Sequence, residues 1–187
     1  MVGQLEQAMV LSSGGIDSSA AIAIAIDSFE RVTGLFVDFG QPAADAEENA
    51  HRAIVSHFGI ESRRVRYRGS PFTAGEIRGR NAFLLHVGLL EFPTDAGSII
   101  VGIHAGTGYA DCSPQFVSTM QHSFDLNTGG RIQVNAPFLH LSKGEVFQLA
   151  LDRRIPIELT HSCEAGNDQC GSCDSCRDRL LLLGSTL

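Results

Sequence analysis

Short apolar runs alternate along the chain with longer segments in which apolar residues recur every third or fourth position, so strands and helices are expected in turn. Met9-Val10-Leu11 predicts a first buried strand, and Val32 to Asp38 (V-T-G-L-F-V-D) a second that ends in a carboxylate. Ser62 to Arg68 alternates as a third strand, Ser98 to His104 (S-I-I-V-G-I-H) is a buried fourth, and Arg131 to Val134 is a short fifth ended by Asn135-Ala136-Pro137. Helices are predicted over residues 43–58, 81–92 (stopped by Pro93) and 113–124. Another starts at Ser142, whose capping box with Glu145 fixes its beginning, and runs to about Arg154. Residues 20–26 alternate Ala and Ile, which by period alone suggests a strand; their place behind a glycine turn and their alanine content predict a buried helix instead.

Strands alternating with helices imply a single α/β unit with a parallel, doubly wound sheet and right-handed crossovers. Ligands of such sheets sit beyond the carboxyl ends of the strands. Asp38, His104 and the loop Tyr109 to Cys112 all follow strands and are expected to meet at that edge. The chain's 187 residues suffice to bury a core, and no repeat or low-complexity tract is visible. A net charge of −7 argues against a general nucleic-acid or anionic-membrane surface. Arg63, Arg64, Arg66 and Arg68 therefore read as a solvated strand face, and Arg78 with Arg80 as a second small cluster. No apolar run is long enough to span a bilayer and no signal core is seen, so a cytoplasmic setting is expected, with cysteines as thiols or metal ligands.

The chemistry concentrates in four places. Ser12-Ser13-Gly14-Gly15-Ile16-Asp17-Ser18-Ser19 sits where the first strand turns into the first helix. Paired glycines let backbone N–H groups converge, and the helix start adds unpaired N–H groups and a positive dipole end. Ser13, Ser18 and Ser19 can add hydroxyls, so phosphate binding is expected; Asp17 suits a metal-side or capping carboxylate, and with Asp38 makes a plausible Mg²⁺ pair. Lys143, the only lysine, lies at a helix start, and Arg80 with Asn81 opens another after a glycine; a nearby phosphate or plain solvation would each account for a cation there. Cys163, Cys170, Cys173 and Cys176 form C-x6-C-x2-C-x2-C, a closed set suited to structural zinc, with an iron–sulfur cluster as the rival. Cys112 is either a small buried apolar residue or a substrate-side thiol. Of the histidines, His104 is the one expected near the site, while His51, His57 and His86 read as surface or packing residues.

Taken together these residues resemble the PP-loop ATP pyrophosphatase superfamily and, within it, the QueC-type 7-cyano-7-deazaguanine synthases. The resemblance rests on the 13–19 loop, Asp38-Phe39-Gly40-Gln41, Gly79-Arg80-Asn81, Gly108-Tyr109-Ala110-Asp111-Cys112 with Pro114-Gln115-Phe116, Pro137-Phe138-Leu139 with Leu141-Ser142-Lys143, and the cysteines. It implies an adenine nucleotide alpha hydrolase-like, Rossmann-like unit over residues 1–160 and a zinc-binding segment with a terminal helix over 161–187. It also implies a carbon–nitrogen ligase that uses ATP and Mg²⁺ to adenylate 7-carboxy-7-deazaguanine and couples it to ammonia, giving the amide and then the nitrile. Asp17, Lys143 and Arg80 would carry the chemistry. Ser12, Ser13, Gly14, Gly15, Ser18, Ser19, Asp38, Gly79 and Asn81 would join them around the nucleotide. Phe39, Gln41, His104, Tyr109, Asp111 and Cys112 would face the deazaguanine acid. Homodimers are common in the resembled family. Pro42-Ala43, Gly106-Thr107 and Glu164 depart from its usual pattern. Those departures bear on the amine and on the nitrile-forming step, so ending at the amide or coupling to a protein N-terminus is a further possibility. Thiolation or amidation of tRNA by a PP-loop enzyme is a second alternative, disfavoured by the acidic charge.

Overall fold

The computed structural model describes residues 7–69, 72, 77–104 and 108–184. Parts of the loops 69–79 and 105–111, including Gly106 and Thr107, lie outside the described residues. Five strands form one parallel sheet: β1 (Gln7–Leu11), β2 (Arg31–Asp38), β3 (Glu61–Arg66), β4 (Gly97–Ile100) and β5 (Ile132–Asn135), in the order β3-β2-β1-β4-β5. The connections are α1 (Ile16–Ser28), α2 (Ala44–Phe58), α3 (Arg80–Glu91) and α4 (Pro114–Thr128); α5 (Lys143–Asp152) and α6 (Asp174–Gly184) follow β5. The chain winds outward from β1 to β3, then returns across β1 to β4 and β5. The strand order therefore reverses between β1 and β4, where sheets of this type open a crevice.

Alternation along β1 divides the core. Ala8 and Val10 pack with α1, α2 and α5 on one face, whereas Met9 and Leu11 pack with α3 and α4 on the other. The Ala/Ile segment is helical, as its position behind the glycine turn predicts. It is buried by the sheet on one side and α5 on the other, so Ala20, Ala21, Ile22 and Ala25 are fully enclosed. A helix sandwiched in this way need not be amphipathic, which is why its pattern mimics a strand.

Two boundaries differ from the sequence expectation. The β4 ladder ends at Ile100, four residues before His104, because both neighbours leave it. β1 turns away after Leu11, and β5 runs into Asn135-Ala136-Pro137, leaving one last bond from Val101 N–H to Asn135 O (2.9 Å). α4 continues to Thr128, where Gly129 closes it in the left-handed conformation (φ 64°). The arginines of β3 lie on an exposed edge strand and are paired: Arg64 with Glu48 (3.0 Å), Arg66 with Asp38 (2.6 Å) and Arg63 with Glu61 (3.2 Å). Such charges also discourage edge-to-edge pairing of strands. Among the described residues no helix is long and apolar enough to cross a membrane.

Candidate active site and metal centre

At the carboxyl ends of β1 and β4 two adjoining cavities, of about 310 and 250 Å³, share a floor. Together they fall in the range of small-molecule sites. The first is bordered by Ser12, Ser13, Gly15, Asp17 and Ser18 on one side, by Leu35, Phe36, Val101 and Ile103 at the back, and by His161, Ser162, Arg179 and Leu182 in front. The second is bordered by Pro42, Ala43, His104, Tyr109, Asp111 and Cys112. Phe39, Gln41, Glu47, Arg80, Gly102, Lys143 and Glu164 line both.

The glycine turn is built for close approach. Gly14 has φ +74°, and a Cβ there would lie 2.5 Å from the His51 backbone nitrogen, so α2 packs directly on the turn. The first backbone bond of α1 runs from Ser19 N–H to Gly15 O (3.0 Å). Among the described residues the N–H groups of Ile16, Asp17 and Ser18 have no intrahelical acceptor, and these three residues line the first cavity, as an anion site requires. Ser12 is buried with no hydrogen-bond partner for its hydroxyl among the described residues. An orphaned buried hydroxyl costs about 1–3 kcal/mol unless a ligand or water meets it. Ser18 and Ser19 turn their hydroxyls back on Gly15 O (3.1 and 2.8 Å), and Ser19 is fully buried behind the turn.

Around this wall the charges are ordered. Asp17 Oδ2 lies 3.6 Å from His104 Nε2, with His104 buried. Burial raises the Asp17 carboxyl above its ordinary range, His104 and Lys143 oppose that rise, and Asp178 adds to it. Lys143 reaches Asp178 on α6 (Nζ to Oδ2, 2.8 Å), so the cation at the start of α5 is held by a carboxylate on another helix. Arg80 Nε meets Asn81 Oδ1 (3.3 Å), and the buried Asn81 donates to Asp111 O (3.2 Å), tying α3 to the Tyr109–Cys112 loop. Cys112 is buried against α3 and α4 and also borders the second cavity.

Gly14, Ser19, Asp38 and Gly79 border neither cavity. Asp38 is engaged by Arg66 (2.6 Å) and by Gly40 N–H (3.1 Å). Gln41 is equally committed: its Oε1 accepts Phe39 N–H (2.9 Å), and its Nε2 donates to Val37 O (3.3 Å) and Glu47 Oε2 (2.7 Å). Several cavity residues escape sequence reasoning. Glu47 is one, its carboxyl lifted by burial to about 7. Gly102 is another: a Cβ there would stand 3.1 Å from the Asp17 backbone. Its position inside an apolar strand pattern was the available signal. His161 and Arg179 carry no local motif at all. His161 N–H donates to Gly14 O (3.0 Å), and Arg179 gathers Thr160 Oγ1 (2.7 Å), Ser162 Oγ (3.2 Å) and Ile157 O (2.7 Å).

The sulfurs of Cys163, Cys170, Cys173 and Cys176 lie within 4.8 Å of one another, and Cys170 and Cys176 are 3.9 Å apart. Zinc–sulfur bonds of about 2.3 Å in a tetrahedron separate sulfurs by about 3.8 Å, so the cluster could hold one zinc ion. An iron–sulfur cluster spreads its thiolates farther. Ser172 N–H, Ser172 Oγ and Cys173 N–H donate to Cys170 Sγ (3.5, 3.4 and 3.3 Å), and Cys176 N–H to Cys173 Sγ (3.4 Å). These donors stabilise a thiolate and hold the Cys170 thiol well below its usual range. The cluster borders neither cavity itself, but Ser162, Glu164 and Ser175 beside its ligands do.

A doubly wound parallel sheet with a glycine turn at the switch point and a cysteine cluster in the C-terminal segment defines an adenine nucleotide alpha hydrolase-like fold of the PP-loop type. The fold alone is shared with a predicted subunit of tRNA methyltransferase from Methanocaldococcus jannaschii (TM-score 0.53, 16% identity, 79% of this chain and 76% of that one). It is shared too with an NH3-dependent NAD synthetase from Campylobacter jejuni (TM-score 0.52, 15% identity, 84% and 68%). The chain belongs to the QueC family: the model of "Queuosine biosynthesis protein QueC" matches residues 7–69 and 72–183. Similar proteins named 7-cyano-7-deazaguanine synthase come from Prochlorococcus marinus strain MIT 9301 (34% identity, 91% of this chain and 90% of that one) and Acetivibrio thermocellus (30%, 94% and 92%).

Proposed function

We propose that this protein is an ATP-dependent carbon–nitrogen ligase that adenylates 7-carboxy-7-deazaguanine and couples it to ammonia, giving the amide and then 7-cyano-7-deazaguanine. One observation carries the nucleotide half: Ser12, with its unpartnered hydroxyl, and Ile16, Asp17 and Ser18, whose N–H groups lack an intrahelical acceptor, line a cavity at the sheet's switch point. The relatives named as synthases carry the substrate half.

A carboxylate acylates poorly because its leaving group is oxide-like; transfer of an adenylyl group replaces it with AMP. The protein's share is positioning and charge neutralisation. The open N–H groups of α1 hold the phosphates, and Lys143 and Arg80 meet the negative charge that builds on them. Gly102 lets the segment that follows β4 approach the start of α1 closely. Asp17, paired with His104, would hold Mg²⁺, which would neutralise phosphate charge there, while Asp38, gripped by Arg66, shapes the β2–α2 turn. The deazaguanine acid lies in the second cavity against Phe39 and Tyr109, near Asp111, Cys112 and His104. The four cysteines would hold zinc, which would brace residues 161–184 as the front wall.

A second reading keeps the same activation and changes the amine. Pro42 and Ala43 border the second cavity with small apolar surface, which favours a larger amine such as a protein N-terminus. Paired arginines on β3 and the net charge of −7 disfavour tRNA as the substrate. Incubation with Mg·ATP, the 7-carboxylate and ammonium is expected to release AMP and pyrophosphate and to yield the amide or nitrile by mass. Absence of AMP release with metal-loaded protein would contradict the ligase reading. Product formed with a protein amine and not with ammonium would favour the second reading.

A further inference from the structure

Joining an amine to an activated acyl group requires that the nitrogen lose a proton to a base beside the reacting carbon. Asp17 is held by His104, and Lys143 by Asp178. Glu47, on the first turns of α2, lines both cavities at their junction. Its Oε2 is fixed by Gln41 Nε2 (2.7 Å), and Gln41 is itself fixed at both ends by Phe39 N–H and Val37 O. Glu47 Oε1 has no hydrogen-bond partner among the described residues. Resting on the ligase reading above, we propose that Glu47 is the base of the amide-forming step and that Gln41 is its positioning residue.

In that step the amine nitrogen bonds to the acyl carbon and the carbon–oxygen bond to AMP breaks. AMP leaves with the bonding pair, the nitrogen's proton passes to Glu47 Oε1, and the protonated carboxyl later returns it to water. The groups facing Glu47 are Gln41 and Asp38 from the β2–α2 turn, Arg80 from α3 and Glu164 from the cysteine-bearing segment. Burial dominates, with Asp38 and Glu164 adding to its effect and Gln41 and Arg80 opposing it, which lifts the carboxyl to about 7. A base with that affinity is ionised for roughly half the time near neutrality and accepts a proton far more readily than an ordinary carboxylate. The adenylation half-reaction has no need of it.

The two half-reactions can be read separately. Acid-dependent exchange of pyrophosphate into ATP reports activation, and amide formation at a fixed concentration of free ammonia reports the whole sequence. Glu47→Gln keeps the shape and a partner for Gln41. It is expected to leave exchange within about twofold, to lower amide formation about 100-fold, and to abolish the rise of wild-type rate with pH through about 7. Glu47→Asp is expected to regain part of the rate together with that pH limb. Equal loss in both half-reactions would overturn the proposal, as would undiminished amide formation. In Gln41→Ala the pH limb of amide formation is expected to move upward, because a hydrogen bond that favours the carboxylate is gone. An unmoved limb would likewise overturn it. Wild-type protein that shows no acid-dependent exchange contradicts the ligase reading itself, a result distinct from the failure of Glu47 alone.

Discussion

The two walls of the cleft are made in opposite ways. The phosphate wall is backbone and short hydroxyls from one contiguous stretch, Ser12 to Ser18, and its shape follows from Gly14 and the start of α1. The facing wall is assembled from side chains far apart in sequence: Gln41 and Glu47, Arg80, Lys143, Glu164 and Arg179. Backbone N–H groups survive every substitution but proline, so side-chain changes weaken the first wall only by blocking the turn. The second can be dismantled one side chain at a time, with separable effects on nucleotide, metal and proton.

The largest effect is expected from Gly14→Val. It places a branched side chain at φ +74° and 2.5 Å from the His51 nitrogen, which costs about 3 kcal/mol or more and abolishes ATP uptake. Chemical denaturation and calorimetry read the two parts. Lys143→Ala removes a cation next to Asp17 and is expected to lower kcat/KM for ATP about 100-fold while leaving zinc content unchanged. Cys176→Ser removes a zinc ligand and loosens the front wall; metal analysis is expected to fall toward zero, and the KM for ATP to rise about tenfold. Gly102→Ala pushes a methyl group against the Asp17 backbone and is expected to raise that KM severalfold, at a cost of about 1–3 kcal/mol in stability as the segment after β4 gives way. An Ala substitution at Gly102 with unchanged KM would mean that the close approach of this segment to α1 does not set the phosphate wall.

The same contrast governs what the sequence makes legible. The sheet, the helix order, the glycine turn and the cysteine cluster all follow from neighbours in sequence: alternation, a capping box at Ser142 and Glu145, spacing of thiols. Ala20 to Ile26 could be read only because the glycines before it fix its start, since a helix covered on both sides carries no polar stripe. Glu47 looks like any solvent-side acid of an amphipathic helix until Gln41 is seen to grip it. Arg179 looks like a surface charge on α6, yet burial lowers its affinity for a proton and three acceptors surround it. Asp38 ends a strand as a metal ligand would, but Arg66 on the paired strand β3 claims it, a contact that depends on β2–β3 register.

The most direct test of adenylyl transfer is the fate of isotopically heavy oxygen placed in the carboxylate of 7-carboxy-7-deazaguanine. After turnover with Mg·ATP and ammonium, mass spectrometry is expected to find one heavy oxygen in AMP, because the carboxylate oxygen attacks the α-phosphorus and departs with it. AMP free of label, or label appearing in inorganic phosphate instead, would contradict the account.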